Sequence, residues 1–292
     1  FNAPATYWDG ASIAVRHILK QNMGNIKGKK IALVYHNSAY GKEPIRTLQV
    51  LAKKHGYKLM LLPVDHPGQE QKATWLKIRK QRPNYVLMWG WGVMNQVAIQ
   101  EAANIRYPME NFIGVWWSGS ENDVLPVGDK ANGYKALAFH NVGSDFPIFD
   151  DIKKYVVDAG KAAGAGDQVG TVLYNRGMYN ALLLTEAAKT AQALSGKTAI
   201  SQADMIKGME ALEITEEKMA ALGLPGFGPS FKVSCQNHGG DGMVGVAQWD
   251  ANAGKWSLIS NYQQSDMSVL QPLIDADSGA FASENNLTAN CN

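Results

Sequence analysis

Short apolar segments alternate with amphipathic segments through the first half of the chain. Four segments of aliphatic and aromatic residues predict buried strands: 30–35, 58–64, 85–89 and 111–117. Three segments between them carry apolar residues at helical spacing: 40–54, 70–82 and 93–105. Strands and helices that alternate in this way are typical of right-handed crossover units, which build a parallel sheet with helices on both faces. We therefore predict an α/β fold for this half.

Helices dominate the pattern in the second half. A strand-like segment at 134–140 leads into three predicted helices, at 147–159, 173–193 and 201–212. Amphipathic helices must bury their apolar faces, yet few strands accompany these three. Two further elements are predicted. The β-segments 243–249 and 255–262 form a hairpin with an Asn/Gly turn between them, and residues 269–285 form a C-terminal helix.

The composition narrows the possible classes of protein. A length of 292 residues, 46% of them hydrophobic, suggests about two globular units. Lys and Arg number 28 against 26 Asp and Glu, so the formal charge is only +2 and no nucleic-acid partner is expected. Uncharged apolar runs stay far below the roughly 20 residues of a membrane-spanning helix, so no direct membrane insertion is expected. Residues 1–8 lack the basic start and apolar region of a signal peptide, so any export signal has been removed or was never included.

Common catalytic motifs do not occur in the sequence. GxSxG, HExxH, GxxxxGK[ST] and a GxGxxG after the first strand are all absent, which argues against the common hydrolases, zinc proteases, P-loop proteins and dinucleotide-binding enzymes. The alternative of an enzyme depends on His238 and Asp241 in the glycine-rich segment 237–242, which is better explained as a turn. Cys235 and Cys291 fit either one bridge or two free thiols, and without a CxxC pair they do not predict a zinc site.

Aromatic side chains follow several of the predicted strands. Tyr40 follows the first strand, Trp91 the third, and Trp116 with Trp117 the fourth. The carboxyl ends of parallel strands meet at one edge of the sheet, where open α/β sheets bind their ligands. An aromatic wall with a few polar groups is typical of a small-molecule pocket, although each ring alone fits a core position equally well. Arg176 begins a strongly apolar predicted helix, where an arginine is either a solvated flank or a receptor for an anion.

Five longer segments form a pattern that is specific to one family. They are GKKIALVYHNSAYGKE (28–43), YVLMWGWG (85–92), NFIGVWWSGSEN (111–122), YNRGMYNALLLTEAAKTA (174–191) and VSCQNHGGDGMVGVAQWD (233–250). Together they resemble the type I periplasmic binding proteins, particularly the branched-chain amino-acid and aromatic-acid receptors of ABC importers. The resemblance covers essentially the whole chain, from Phe1 to Cys291.

The resemblance implies two Rossmann-like lobes, each a parallel sheet flanked by helices, joined by a hinge of three crossovers. Residues 1–138 and 244–292 would form the second lobe, and residues 139–243 the returning part of the first lobe. The N-terminal βα units of the first lobe have no counterpart in this sequence. We therefore expect either that the chain is a piece of a longer protein or that another chain supplies the missing part, on which the helices of the second half would pack.

The resemblance also assigns candidate ligand-binding residues. Tyr40 corresponds to the aromatic residue with which the second lobe covers the ligand, and Trp91 to the aromatic residue after the glycine of the third strand. Trp116 occupies the position at which amino-acid-binding members carry an acidic residue for the ligand's ammonium group. Because an indole cannot accept hydrogen bonds as a carboxylate does, we expect a carboxylate ligand with its anion near Arg176. Tyr7 is a further candidate on the hinge side.

The function that the resemblance implies is that of a periplasmic receptor for an ABC importer. It would capture a small hydrophobic or aromatic carboxylate, or a ligand like a branched-chain amino acid, by hinge closure, and deliver it to a membrane permease. No cofactor and no chemistry on the ligand are expected. The alternative is a ligand-sensing domain of a signalling receptor with the same fold. The oxidising periplasm also favours a bridge between Cys235 and Cys291.

Overall fold

A large, mostly parallel sheet organises the computed structural model, which describes residues 1–2, 4–164, 166–288 and 291. Its strands are β1 (Lys30–His36), β2 (Lys58–Val64), β3 (Tyr85–Trp89), β4 (Phe112–Gly114), β5 (Lys135–Ala138), β6 (Glu213–Ile214), β7 (Phe231–Lys232), β8 (Gly245–Asp250) and β9 (Lys255–Leu258). Seven of them form the sheet in the order β2-β1-β3-β4-β5-β8-β9, and β6 pairs with β7 apart from it. The strands β1 to β5 pair in parallel, whereas the predicted hairpin β8-β9 joins β5 antiparallel. The predicted α/β fold class is confirmed.

Eleven helices accompany the strands in the described part of the chain. They are α1 (Tyr7–Gln21), α2 (Ala39–Lys42), α3 (Ile45–His55), α4 (Lys72–Gln81), α5 (Val93–Asn104), α6 (Glu121–Val124), α7 (Pro147–Ile152), α8 (Val172–Ser195), α9 (Gln202–Glu210), α10 (Glu216–Ala221) and α11 (Met267–Glu284). The sequence pattern described above does not predict α1. Its N-terminus is nonetheless encoded by a capping box, in which Thr6 and Asp9 exchange side-chain to backbone hydrogen bonds.

Several predicted elements have different boundaries in the structure. The helix predicted at 40–54 is divided at Pro44, because proline inside a helix removes a backbone donor and clashes with the preceding turn. The helix α7 is shorter than predicted and continues as a π-helical turn, Lys153–Val157. The strand predicted at 111–117 pairs only over β4, after which Trp116–Ser118 form a 3-10 turn. That turn places two indole rings at the sheet edge.

Apolar side chains cover both faces of the sheet. Ile31 and Leu33 of β1 belong to an apolar cluster that includes the buried face of α1, whereas the intervening Ala32 and Val34 belong to a second cluster with Trp75 of α4. Successive side chains of a strand point to opposite faces, and parallel strands buried on both faces read as continuous apolar runs. This burial explains why β1 and β3 were recognisable from sequence.

The segment between β5 and β8 contributes no strand to the seven-stranded sheet. It contains α7 to α10 and the short pair β6-β7. The helices α8 and α9 approach closely at Gly208, where a Cβ would lie 2.4 Å from the carbonyl oxygen of Ala187. A disulfide joins Cys235 to Cys291, with their Cα atoms 5.5 Å apart. No helix of the described residues is long and apolar enough to span a bilayer.

Candidate ligand-binding site

The turn after β1 brings Tyr40 to the edge of the sheet. The next residue, Gly41, lies so close to the end of β1 that a Cβ there would be 1.9 Å from the carbonyl oxygen of His36. Only glycine therefore fits at this position of α2. Tyr40 donates its hydroxyl hydrogen to the carbonyl oxygen of Gly90, 3.0 Å away, just after β3. Burial raises the pKa of Tyr40 and keeps this donor protonated.

A buried polar network holds the turn after β4 against the turn after β3. Ser118 Oγ lies 2.9 Å from the carbonyl oxygen of Gly90 and 3.0 Å from Asn95 Oδ1. The amide nitrogen of Asn95 donates to the carbonyl oxygen of Trp117, 2.8 Å away, and to Asp123 Oδ1, 3.0 Å away. The other oxygen of Asp123 accepts hydrogen bonds within a capping box. Because these groups are mutually satisfied, they fix the backbone that carries the two indole rings.

Four aromatic rings form a continuous wall at this edge. Tyr7, the first residue of α1, stacks on Trp116 with ring centroids 5.2 Å apart and an interplanar angle of 13°. Its ring also meets the edge of Tyr40 at 5.1 Å, and Trp116 meets Phe139 at 5.5 Å. Gly10 lets α1 approach the wall, since a Cβ there would lie 2.9 Å from the indole of Trp116. The wall thus joins α1 and the ends of β1, β4 and β5.

Arg176, in the first turns of α8, carries a buried charge next to this wall. Only 6% of the residue is exposed, and its guanidinium lies over two rings, 5.0 Å from the centroid of Trp117 and 5.3 Å from that of Phe139. Among the described residues, Nε and Nη1 have no hydrogen-bond partner. Burial lowers the pKa of Arg176 to about 10, although the negative charge of Asp123 opposes this effect.

A cavity of about 790 Å³ opens beside the wall and the guanidinium. Three of the predicted residues line it: Tyr7, Trp116 and Arg176. Tyr40 is absent from the lining but contacts the ring of Tyr7. Trp91 lies apart from this group, because 59% of it is exposed and it does not line the cavity. The structure therefore brings four of the five predicted residues together.

The cavity is also lined by several residues that the sequence patterns do not identify as ligand-binding. They include Glu43, Phe139 and Asn180. Trp117, which follows the fourth predicted strand, lines the cavity as well. Helical spacing could have indicated Asn180, which follows Arg176 by four residues and so lies on the same helix face. Phe139 directly follows β5, so the rule that ligands bind at strand ends applies to it as well.

The two residues of the enzyme alternative, His238 and Asp241, line the same cavity. His238 stacks on Phe1 at 4.0 Å, and its Nε2 is 3.2 Å from Glu210 Oε1. Asp241 accepts a hydrogen bond from the backbone N–H of Lys232. Both side chains thus have structural partners. Within the described ranges, no group of three His, Cys, Asp or Glu side chains is arranged to bind a metal ion.

Comparison with known proteins identifies the family. The model of the periplasmic binding protein family matches residues 1–255. A structure from the Pseudomonas fluorescens group, described as an ABC transporter permease, is 39% identical, covers 99% of this chain and superimposes with a TM-score of 0.91. A second structure is that of a branched-chain amino acid ABC transporter from Thermus thermophilus with bound valine, which is 18% identical over 90% of this chain with a TM-score of 0.71. A third is that of an R. palustris solute-binding protein in complex with benzoate, which is 15% identical over 89% of this chain with a TM-score of 0.62.

The chain spans 70%, 67% and 65% of the lengths of these three proteins. No curated protein sequence is similar enough to count as a match. The family match and the 39% identical structure are decisive, and the chain belongs to the periplasmic binding protein family. The predicted type I fold is confirmed, and so is the general role of an extracytoplasmic solute-binding receptor that does not transform its ligand.

Proposed function

We propose that this chain binds a small aromatic or aliphatic carboxylate in the cavity of about 790 Å³, and that the ligand bridges two lobes. Residues 1–138 and 244–292 would form the second lobe, and residues 139–243 the returning part of the first. The origin of the lining supports this division, because the stacked aromatic wall comes mainly from the former ranges and Arg176 from the latter.

The observation that carries the proposal is the unmet hydrogen-bonding capacity of Arg176. A buried cation that lacks hydrogen-bond partners is destabilising, and a ligand carboxylate would supply charge-assisted hydrogen bonds to the guanidinium. The adjacent faces of Tyr7 and Trp116 suit a flat apolar body. The R. palustris protein, which binds benzoate, provides a precedent for a ligand of this chemistry.

The proposed mechanism is closure around the ligand. A ligand that contacts both lobes favours the closed form by its differential affinity for that form. We propose that a membrane permease of an ABC importer recognises the closed form on the periplasmic side. Tyr7, Trp116 and Arg176 are the proposed contacts, and Tyr40 holds Tyr7 in position. Trp91 is left out of this set because it does not line the cavity.

A branched-chain amino acid is the competing ligand, and Glu43 is the residue that favours it. Its side chain lines the same cavity, and burial raises the pKa of its carboxyl group. An ammonium group could pair with this carboxylate, and the T. thermophilus protein carries valine. Asp9 also lines the cavity, but its oxygens already accept hydrogen bonds from Thr6 and Ser265.

Ligand ranking by thermal unfolding and tryptophan fluorescence tests the proposal. Benzoate should raise the melting temperature and quench fluorescence more than leucine or valine. Benzamide, which has the same ring without the charge, should have a much smaller effect. Arg176→Gln should abolish the response to benzoate, whereas Glu43→Gln should retain it. A larger response to leucine or valine, lost in Glu43→Gln, would establish the amino-acid ligand instead.

A further inference from the structure

Trp117 connects the aromatic wall to the buried charge. Its Nε1–H donates to the hydroxyl oxygen of Tyr7, with the two atoms 2.7 Å apart. The face of the same indole carries the guanidinium of Arg176, 5.0 Å from the ring centroid. Trp117 is 40% exposed, so burial in the core does not explain its position. One side chain therefore orients two polar groups that border the cavity.

The hydrogen bond from Trp117 determines what Tyr7 can offer a ligand. A tyrosine hydroxyl has one donor hydrogen as well as acceptor lone pairs. The hydroxyl oxygen of Tyr7 accepts the hydrogen bond from the indole N–H of Trp117. Among the described residues, no group accepts a hydrogen bond from the Tyr7 O–H. Accepting one hydrogen bond strengthens the next bond that a hydroxyl donates. The free hydrogen of Tyr7 is thus available to the cavity that Tyr7 lines.

The surroundings of Tyr7 raise its pKa and keep this hydrogen on the oxygen. Burial is the largest influence and raises the pKa of Tyr7, and the charge of Glu43 acts in the same direction. The hydrogen bond from Trp117 and the charge of Arg176 partly oppose this rise. The hydroxyl is therefore a neutral donor beside a cationic donor. Two donors of this kind suit the two oxygens of one carboxylate.

We propose that Trp117 is the positioning residue of a two-donor carboxylate subsite, in which Tyr7 Oη–H and the Arg176 guanidinium bind the same ligand anion. This inference rests on the proposed carboxylate-binding function and extends it. The indole N–H directs the Tyr7 hydrogen toward the ligand, and the indole face directs the guanidinium. Replacing Trp117 by phenylalanine keeps an aromatic face for Arg176 but removes the N–H.

The test compares affinities for benzoate and benzamide by isothermal titration calorimetry at pH 7. Tyr7→Phe should weaken benzoate binding about ten-fold or more, since it removes a hydrogen bond to a charged group. Trp117→Phe should weaken it about five-fold or more, because Tyr7 is no longer oriented. The double variant should bind benzoate about as weakly as Tyr7→Phe alone, since the two residues act as a unit. Benzamide affinity should change less in every variant, which also excludes a general loss of folding.

Matched control variants exist in the core. Trp75→Phe removes an indole N–H that donates to Gln71 Oε1, 3.1 Å away, and Tyr57→Phe removes a hydroxyl that donates to the carbonyl oxygen of Leu48, 2.6 Å away. Neither residue lines the cavity, so both variants should bind benzoate as the wild type does.

Two other results separate the positioning role of Trp117 from the proposed carboxylate-binding function. Wild-type benzoate affinity in Trp117→Phe, or fully additive losses in the double variant, would overturn the positioning role and leave the proposed function intact. A wild-type protein that does not prefer benzoate over benzamide would overturn both the proposed carboxylate function and this inference.

Discussion

Replacing Arg176 by methionine should make the unliganded protein more stable while abolishing carboxylate binding. Methionine is an unbranched apolar side chain of similar volume, so it can remain in the same apolar surroundings. Buried charges that are replaced by hydrophobic residues of similar volume often leave a protein equally or more stable. The expectation is specific to Arg176, because its Nε and Nη1 have no hydrogen-bond partner in the described structure.

The magnitude follows from the burial of the guanidinium. Burial lowers the pKa of Arg176 from 12.5 to about 10, and at about 1.4 kcal/mol per pKa unit this disfavours the charged form by about 3 kcal/mol. The variant loses two cation–π contacts, with Trp117 and Phe139, each worth about 0.5–1 kcal/mol. The net gain is then about 1–2 kcal/mol, which corresponds to a rise of roughly 2–5 °C in melting temperature.

The assay is thermal unfolding at pH 7 with and without benzoate. Benzoate at 100 times its dissociation constant should add about 2.7 kcal/mol to the wild type and nothing to Arg176→Met. The order of stability should therefore reverse when ligand is added. The control is Arg79→Met, at an exposed position of α4. Surface substitutions usually change the free energy of unfolding by no more than about 0.5 kcal/mol, so this variant should be about as stable as the wild type. A variant that is less stable than the wild type without ligand, or that still responds to benzoate, would refute this reasoning.

Three further predictions concern the scaffold. Gly41→Ala should lower the free energy of unfolding by about 1–3 kcal/mol and weaken benzoate binding, because the new Cβ would meet the carbonyl oxygen of His36 at 1.9 Å; unchanged chemical denaturation would contradict this. Burial lowers the pKa of His17 to about 4, so the unfolded state binds a proton at higher pH than the folded state does. Between pH 7 and pH 5 the free energy of unfolding of the wild type should therefore fall by about 2 kcal/mol relative to that of His17→Leu, measured by denaturant titration. Parallel pH profiles of the two proteins would exclude the effect. Reducing the bridge from Cys235 to Cys291, which are 56 residues apart, should cost at most about 4 kcal/mol in loop-closure entropy, measured by unfolding with and without reductant, whereas a gain in stability would refute it.

The parallel sheet could be predicted from sequence because its strands are apolar on both faces. Continuous aliphatic runs at β1 and β3 leave little alternative to burial, and proline and glycine mark the ends of the intervening helices. The sequence pattern did not identify α1, although the helix carries two local signals: the cap formed by Thr6 with Asp9, and a buried apolar face that includes Ile13 and Ile18. Local periodicity also could not show that Trp116–Ser118 leave the strand and form a 3-10 turn.

The candidate site could be predicted only in part. The rule that ligands bind at the carboxyl ends of strands identified Tyr40 and Trp116. The position of Arg176 at the start of an apolar helix made it a possible anion receptor, and the family resemblance added Tyr7. The same reasoning included Trp91, which is 59% exposed and does not line the cavity. The bond from Trp117 to Tyr7 joins residues 110 positions apart, so only the folded chain reveals it.

A crystal structure of the protein with benzoate tests the central claim most directly. The account predicts the carboxylate within about 2.7–2.9 Å of the guanidinium nitrogens of Arg176, with the benzoate ring against Tyr7 and Trp116. A benzoate whose carboxylate points away from Arg176, or whose ring lies outside this cavity, would contradict the account.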